Sequence, residues 1–248
     1  PQDPYAAVLT VQKWSSCGSH RRVRDAFENQ MFVKLYTQRA QQSRSQIEVS
    51  EGTRRLGGGN GIAVSIAPGI VAKASYEYAT RLPEVQELFG DGIFTRSNID
   101  LETERSHNIN LEAEASADNG WGSWGGRVMA FARRSNGLIA FVGHNRNASS
   151  FQKLVRATAQ GLEGSLSWAA PNRWLNLAAN ATWIDSRNRS EAGTFAQFDG
   201  DRIPNQPWLF GNVRARLDLD GVLARWDRLS VGSDMRLQRR FFRSWESV

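Results

Sequence analysis

The feature that most constrains this chain is a hairpin rhythm written in its turn residues. Short turn signals stand at Ala67-Pro68-Gly69, Asp118-Asn119-Gly120, Ala170-Pro171-Asn172-Arg173 and Asp220-Gly221, roughly 50 residues apart. Pro, Gly and Asn supply the φ angles that tight connections between paired strands require. Between the turns, one parity is apolar and the other polar, which is the period of a strand with two different surroundings. Ile70, Ala72, Ala74, Tyr76 and Tyr78 alternate with Val71, Lys73, Ser75 and Glu77. His107, Ile109, Leu111, Ala113 and Ala115 oppose Asn108, Asn110, Glu112, Glu114 and Ser116. The pattern recurs with Leu162, Leu166 and Trp168, with Leu175, Leu177 and Trp183, and with Val213, Leu217, Met235 and Leu237.

Strand length separates the architectures that alternate in this way. Sandwich strands are usually about 5 or 6 residues long, and membrane-crossing strands about 9 to 11. These segments run to about 10 or more, and their far ends meet in long connections, Arg81 to Arg105, Asn136 to Gln152 and Arg187 to Pro207. Short turns at one end and long loops at the other are the organisation of outer-membrane β-barrels. The expected fold is all-β, an antiparallel transmembrane β-barrel, antiparallel throughout, contributing about nine or ten strands to a larger barrel. Lys73, Glu77, Glu112, Glu114, Asn176, Asn180, Arg214 and Arg216 are then lumen-facing. Two other architectures share the alternation: a small self-contained porin or adhesin barrel, whose first and last strands pair with each other, and a soluble carbohydrate-binding β-sandwich.

Composition agrees with the barrel. A mean hydropathy of -0.48 excludes nothing, because only every second residue of a crossing strand meets lipid. No segment approaches the roughly 18 apolar residues of a membrane helix. The net charge is +6, but 31 basic and 25 acidic residues are interleaved without a dense basic run, so no nucleic-acid partner is expected. The single cysteine, Cys17, permits no internal disulfide. Trp121, Trp124, Trp168, Trp174 and Trp226 cluster near the short turns, and Trp183, Trp208, Tyr76 and Tyr78 towards the other strand ends, as interfacial aromatic girdles do.

Catalytic and metal chemistry find no support. His20, His107 and His144 lack a metal-ligand spacing, the glycines from Gly57 are not followed by Lys-Ser or Lys-Thr, and no G-x-S-x-G elbow occurs. An enzyme is not expected, nor is a metal or any cofactor. Asp199-Gly200-Asp201 and Asp218-Leu219-Asp220-Gly221 read as turn chemistry, and the N-x-S/T triplets at Asn147, Asn180 and Asn188 as chance. Candidate ligand groups lie in the first long loop: Arg81, Glu84, Glu87, Asp91 and Arg96. Residues 1–50 are poorly defined, with barrel strand plus loops expected, and residues 51–248 carry the barrel pattern. Met31 to Gln38 reads as a strand despite a helical stripe at Val23, Phe27, Met31 and Leu35; Gln41 to Gln46 as loop; Gly57 to Gly61 as a bend; Leu138 to Val142 as a brief strand or loop plug.

Two loop-to-strand junctions carry a family resemblance. Tyr76 to Gly92 reads YEYATRLPEVQELFGDG, and Asn98 to Asn108 reads NIDLETERSHN. These resemble the barrel of TonB-dependent outer-membrane receptors, where a strand ends in R-x-P-x-x-x-E-L and the next follows N-P-D-L-x-P-E-x-S-x-N. Ile99 and Thr103 replace the two prolines of the second motif. Gly200 to Pro207, GDRIPNQP, resembles the family's G-x-R-x-P-x-x-P approach to a late strand. The resemblance runs from about Arg54 to Val248.

The resemblance implies a bacterial outer-membrane receptor that imports a bulky, scarce solute such as a ferric siderophore, a cobalamin or an oligosaccharide. It also implies partners: the rest of the barrel and its plug domain, an inner-membrane energy-coupling protein acting through that plug, outer-membrane lipid and the small-molecule ligand. Such barrels have about 22 strands, so the chain is expected to be a central-to-late segment without plug or final strands. Open sheet edges are not tolerated in hydrocarbon. The isolated chain should therefore fail to insert as a heat-resistant band on cold electrophoresis after refolding into detergent, and a resistant band would overturn this expectation.

Overall fold

Alternating patterning and turn chemistry produce a single meander. The computed structural model describes residues 7–245, apart from 24–25, 45–46, 90–94, 97, 99–100, 146–147, 194, 223 and 225. Its strands are β1 (Ala7–Val23), β2 (Phe27–Arg44), β3 (Ile47–Ala67), β4 (Ile70–Arg81), β5 (Thr95–Arg96), β6 (Glu104–Asn119), β7 (Gly122–Asn145), β8 (Ala148–Ala169), β9 (Leu175–Asn188), β10 (Leu209–Asp220) and β11 (Arg228–Gln238). One short helix, α1 (Val85–Phe89), sits in the connection from β4 to β6. Ten strands form one sheet in the order β1-β2-β3-β4-β6-β7-β8-β9-β10-β11, each antiparallel to its neighbours. This is the all-β, partial transmembrane β-barrel expected from the pattern.

The sheet corrects several details. The two-residue β5 pairs with β8 in parallel, Thr95 opposite Ser149, so the sheet is not antiparallel throughout. Gln41 to Arg44 belong to β2 rather than to a loop, while Ser45 and Gln46 lie outside the described residues. Asn136 to Gln152 is not an open loop either, because β7 continues to Asn145 and β8 begins at Ala148. Leu138 to Val142 is part of that extension. The sandwich reading fails because the described strands lie in one sheet, with no second sheet against its apolar face. Among the described residues β1 and β11 stand at opposite ends of the order, whereas a small closed barrel would pair them.

Register places the two parities on opposite faces over the six strands β4, β6, β7, β8, β9 and β10. Ala74 stands opposite Leu111, Leu111 opposite Ala130, Ala130 opposite Leu162, and Ala179 opposite Val213. These apolar side chains are open: Leu111 is 57% exposed, Val128 60% and Leu166 56%. Leaving such side chains in water costs each roughly 1.5–3 kcal/mol of forgone burial, so the face is one that lipid covers. Aromatic rings bound it. Near the short turns Trp124 and Trp168 pair across strands with ring centroids 5.7 Å apart. At the other end Tyr78 lies 5.1 Å from the His107 ring, and the Tyr76 hydroxyl meets His107 Nδ1 at 2.7 Å.

The glycine run is not a bend. Gly57 to Gly61 continue β3, pairing with β2 on one side and, from Gly58, with β4 on the other. Gly57, Gly59 and Gly61 leave room on the polar face: a Cβ on Gly59 would stand 2.6 Å from the Tyr76 carbonyl oxygen and 2.7 Å from Phe32 Cζ. Aromatic rings from a neighbouring strand thus cover backbone that would otherwise be bare. Gly161 repeats the device under Phe131, where a Cβ would meet the Trp183 carbonyl oxygen at 2.3 Å and Phe131 Cζ at 2.5 Å. Gly161→Val should cost about 3 kcal/mol, since backbone must shift. Gly164→Ala, whose Cβ meets only the Arg127 oxygen at 4.0 Å, should be neutral or stabilise by about 0.5 kcal/mol. Urea midpoints of the receptor carrying this segment, in detergent micelles, compare the two.

Candidate functional site: polar wall and loop anchors

The polar parity forms a wall of matched charges. Lys73, Glu77, Glu112, Glu114, Asn176, Asn180, Arg214 and Arg216 all fall on the face opposite the apolar band. Lys73 stands opposite Glu112, and its Nζ reaches Glu112 at 3.0 Å and Glu114 at 2.6 Å. Arg127 approaches Glu112 from the other side at 3.7 Å. Lys34 on β2 reaches over the glycines of β3 to Glu77 on β4, 2.7 Å away, with Phe32 beneath its ammonium at 4.4 Å. Asn212 donates to Asn180 at 3.1 Å, and Arg214 pairs with Asp234. Part-exposed pairs of this kind are worth about 0.2–1 kcal/mol each, so the wall's importance is its polarity rather than its stability.

The first long loop is bolted down at its start. Arg81 ends β4 beyond the Tyr76, Tyr78 and His107 ring that bounds the crossing portion, and its guanidinium pairs with Glu87 on α1 and approaches Glu84 at 3.8 Å. The second Glu87 oxygen accepts the Glu84 N–H at 2.8 Å, a capping-box contact that starts the helix. Gln38 on β2 donates to the Pro83 carbonyl at 2.9 Å, and Thr80 to the Leu56 carbonyl at 3.0 Å. Thr103, which replaces a proline of the motif, accepts from Arg55 Nε at 3.2 Å. Glu87 is only 5% exposed and Leu88 4%, whereas Glu84 is open. The R-x-P-x-x-x-E-L spacing is thus the spacing of an ion-paired loop anchor.

Of the five loop candidates, Arg81, Glu84 and Glu87 come together. Asp91 lies outside the described residues, and Arg96 is described only by its backbone pairing opposite Ser150. Glu104, the first residue of β6, was missed. It approaches Arg81 at 3.9 Å. Burial pushes its carboxyl above the usual range, opposed by Arg81, Arg133 and a hydrogen bond with Ser135.

The second long loop has an anchor that sequence reading discarded as chance. Asn188 and Ser190 are fully buried. The Asn188 amide donates to the Phe195 and Phe198 carbonyls at 2.7 and 3.0 Å, and its oxygen accepts the Ser190 N–H at 3.0 Å. The N-x-S triplet is an Asx turn. Gly200, with φ of +87°, returns the chain so that the Gly200 N–H bonds the Asn188 carbonyl, and Arg187 and Arg202 share Asp185 at 2.8 and 3.2 Å. Arg202 also lies over the Trp208 ring at 5.7 Å. Phe195 and Ile203 bury against Ala157 on β8, and Trp245 packs on Phe195 and Phe198. No group of three metal-ligating side chains occurs among the described residues.

A one-sheet meander with a lipid-facing side, a charged side and anchored long loops defines a transmembrane β-barrel wall. Residues 37–244 match the family described as TonB dependent receptor-like, beta-barrel, and the chain belongs to that family. Solved structures share the fold. The copper transporter OprC is 12% identical with a TM-score of 0.69, over 92% of this chain and 34% of that one. The alcaligin outer-membrane receptor FauA from Bordetella pertussis is 16% identical with a TM-score of 0.65, over 94% and 38%. The ferric yersiniabactin uptake receptor FyuA from Yersinia pestis is 12% identical with a TM-score of 0.68, over 94% and 35%. The chain spans about a third of the length of these structures. A sequence search among curated proteins finds no match.

The two glutamates of the first anchor should separate by mutation. Glu87→Gln weakens the charged bond to Arg81, so proteolytic nicking within residues 82–103 should speed by about tenfold at pH 7, corresponding to roughly 1–2 kcal/mol of local opening. Glu104 has a raised folded pKa; its favourable contribution is present below about pH 4.3, where unfolded glutamate protonates, and is lost as pH rises through the raised value. Glu104→Gln, which is uncharged as the protonated acid is, should therefore leave nicking at pH 7 unchanged or slow it, and not speed it as Glu87→Gln does. Limited proteolysis followed by mass spectrometry measures both.

Proposed function

We propose that this chain is part of the barrel wall of an outer-membrane, ligand-gated active transporter for a bulky, scarce solute. The observation that carries the reading is the polar parity with charged pairs from Lys34 to Asp234, backed by a mainly apolar parity, within a chain of this receptor family. In this reading Lys73, Glu77, Glu112, Glu114, Asn176, Asn180, Arg214 and Arg216 face the lumen and the plug domain of the whole receptor. The plug couples the barrel to an inner-membrane energy source. The exposed Glu84 and the loop after α1, with Asp91 and Arg96, meet the ligand, while buried Glu87 holds Arg81 in place. Residues 1–50 supply the first barrel strands and their loop, and residues 51–248 the rest of the segment.

The ferric siderophore class leads among solutes, because the fold neighbours include receptors for alcaligin and ferric yersiniabactin; cobalamin and oligosaccharides complete the panel. The whole receptor, expressed in cells lacking their own uptake receptors, should accumulate at least one panel member, and a protonophore should abolish that accumulation. Uptake indifferent to the protonophore would indicate a passive barrel, and no uptake across the panel would sink the transport reading.

A further inference from the structure

The lipid-facing side carries charge where its apolar band ends. Arg105 on β6, Arg134 on β7 and Arg156 on β8 are all exposed and share the parity of Ile109, Leu111 and Leu162. Arg134 stands opposite His107, while Asn136 stands opposite both Arg105 and Arg156. Arg134 is therefore the diagonal neighbour of both Arg105 and Arg156, at about 7–8 Å in each pair, and the latter two flank Asn136 from the strands on either side. Arg156 has a carboxylate partner in Glu191 at 3.2 Å, itself 78% exposed. Arg105 and Arg134 have no ion pair among the described residues. The rings of Tyr78 and His107 stand beside them, and Ile109 and Leu111, 50% and 57% exposed, follow directly along β6.

We propose that Arg105, Arg134 and Arg156 form a binding site for the phosphate of a membrane lipid with net negative charge, in the leaflet next to the long loops. Guanidinium groups present paired N–H donors that match phosphate oxygens. Arg105 and Arg134, diagonal neighbours with no ion pair among the described residues, repel one another unless an anion sits between them, and Arg156, held only by the exposed Glu191, adds a third guanidinium. That anion must also tolerate an apolar surface one strand-pair away, which an amphiphile does and a soluble acidic partner does not. The phosphates take the arginines and the acyl chains lie along Ile109, Leu111 and Leu162. On the opposite face Arg133 is one residue from Arg134 and interacts instead with Glu104, so the two arginines separate lipid binding from bulk charge.

The inference rests on the barrel reading above, and the test keeps the two apart. The whole receptor is placed in phosphatidylcholine nanodiscs containing either bis-phosphorylated lipid A or its dephosphorylated form, and retained glycolipid is counted by native mass spectrometry. The expected result is preferential retention of the phosphorylated form, reduced about tenfold or more in the Arg105→Gln, Arg134→Gln, Arg156→Gln triple variant and unchanged in Arg133→Gln. Arg134→Gln alone, at an exposed position, should give a smaller fall in the same direction if the triple variant does not insert. Equal retention of both forms, an Arg133→Gln effect as large as that of Arg134→Gln, or full displacement by millimolar inorganic phosphate would overturn the lipid site. A receptor that fails to enter nanodiscs at all would count against the membrane reading instead.

Discussion

Everything else in this molecule depends on one backbone constraint: an N–H or C=O facing hydrocarbon must find its partner within the protein, because lipid offers none. The antiparallel ladder from β1 to β11 meets that requirement strand by strand. Once the ladder is in place, side chains are forced to alternate, and a strand in it can satisfy two solvents at once. Leu111 and Glu112 are neighbours in sequence and lie on opposite faces of the wall. A one-residue slip of a strand would put that strand's polar-face charges into lipid, so the same alternation that builds the wall also fixes its pairing.

The polar side then becomes a packing problem without a conventional core. Bulk is distributed unevenly: glycines at Gly59 and Gly161 sit under the rings of Phe32 and Phe131. The glycine track also lets Lys34 span a whole strand to Glu77. Charge is neutralised locally along this face, by Lys73 between two glutamates and by Arg214 against Asp234.

The loops solve a different problem, that of keeping long connections ordered at a fixed place. Each anchor buries one polar side chain with more than one partner: Glu87 in the first loop holds the Arg81 guanidinium and the Glu84 N–H, and Asn188 in the second holds three backbone groups. Full hydrogen bonding makes such burial tolerable, and leaving it half satisfied would be costly. Within the first anchor the Glu84 backbone is held by Glu87 while its side chain stays exposed.

The sequence alone determined strand parity, the short turns, the transmembrane barrel class and the family, because period-2 alternation and turn φ angles are local properties. The composition of the polar wall was legible for the same reason: Lys73 and Glu112 declare their face by counting residues. What only the tertiary structure decided depends on pairing between distant segments. The glycines from Gly57 looked like a bend because the rings that cover them come from β2. Asn136 to Gln152 looked like loop because its strand character is visible only where β7 meets β8. Asn188 looked like a chance triplet because its partners lie 7 and 10 residues away in a folded loop. The arginine cluster at Arg105, Arg134 and Arg156 exists only in register, since sequence spacing of more than 20 residues gives no sign that three strands bring those charges side by side.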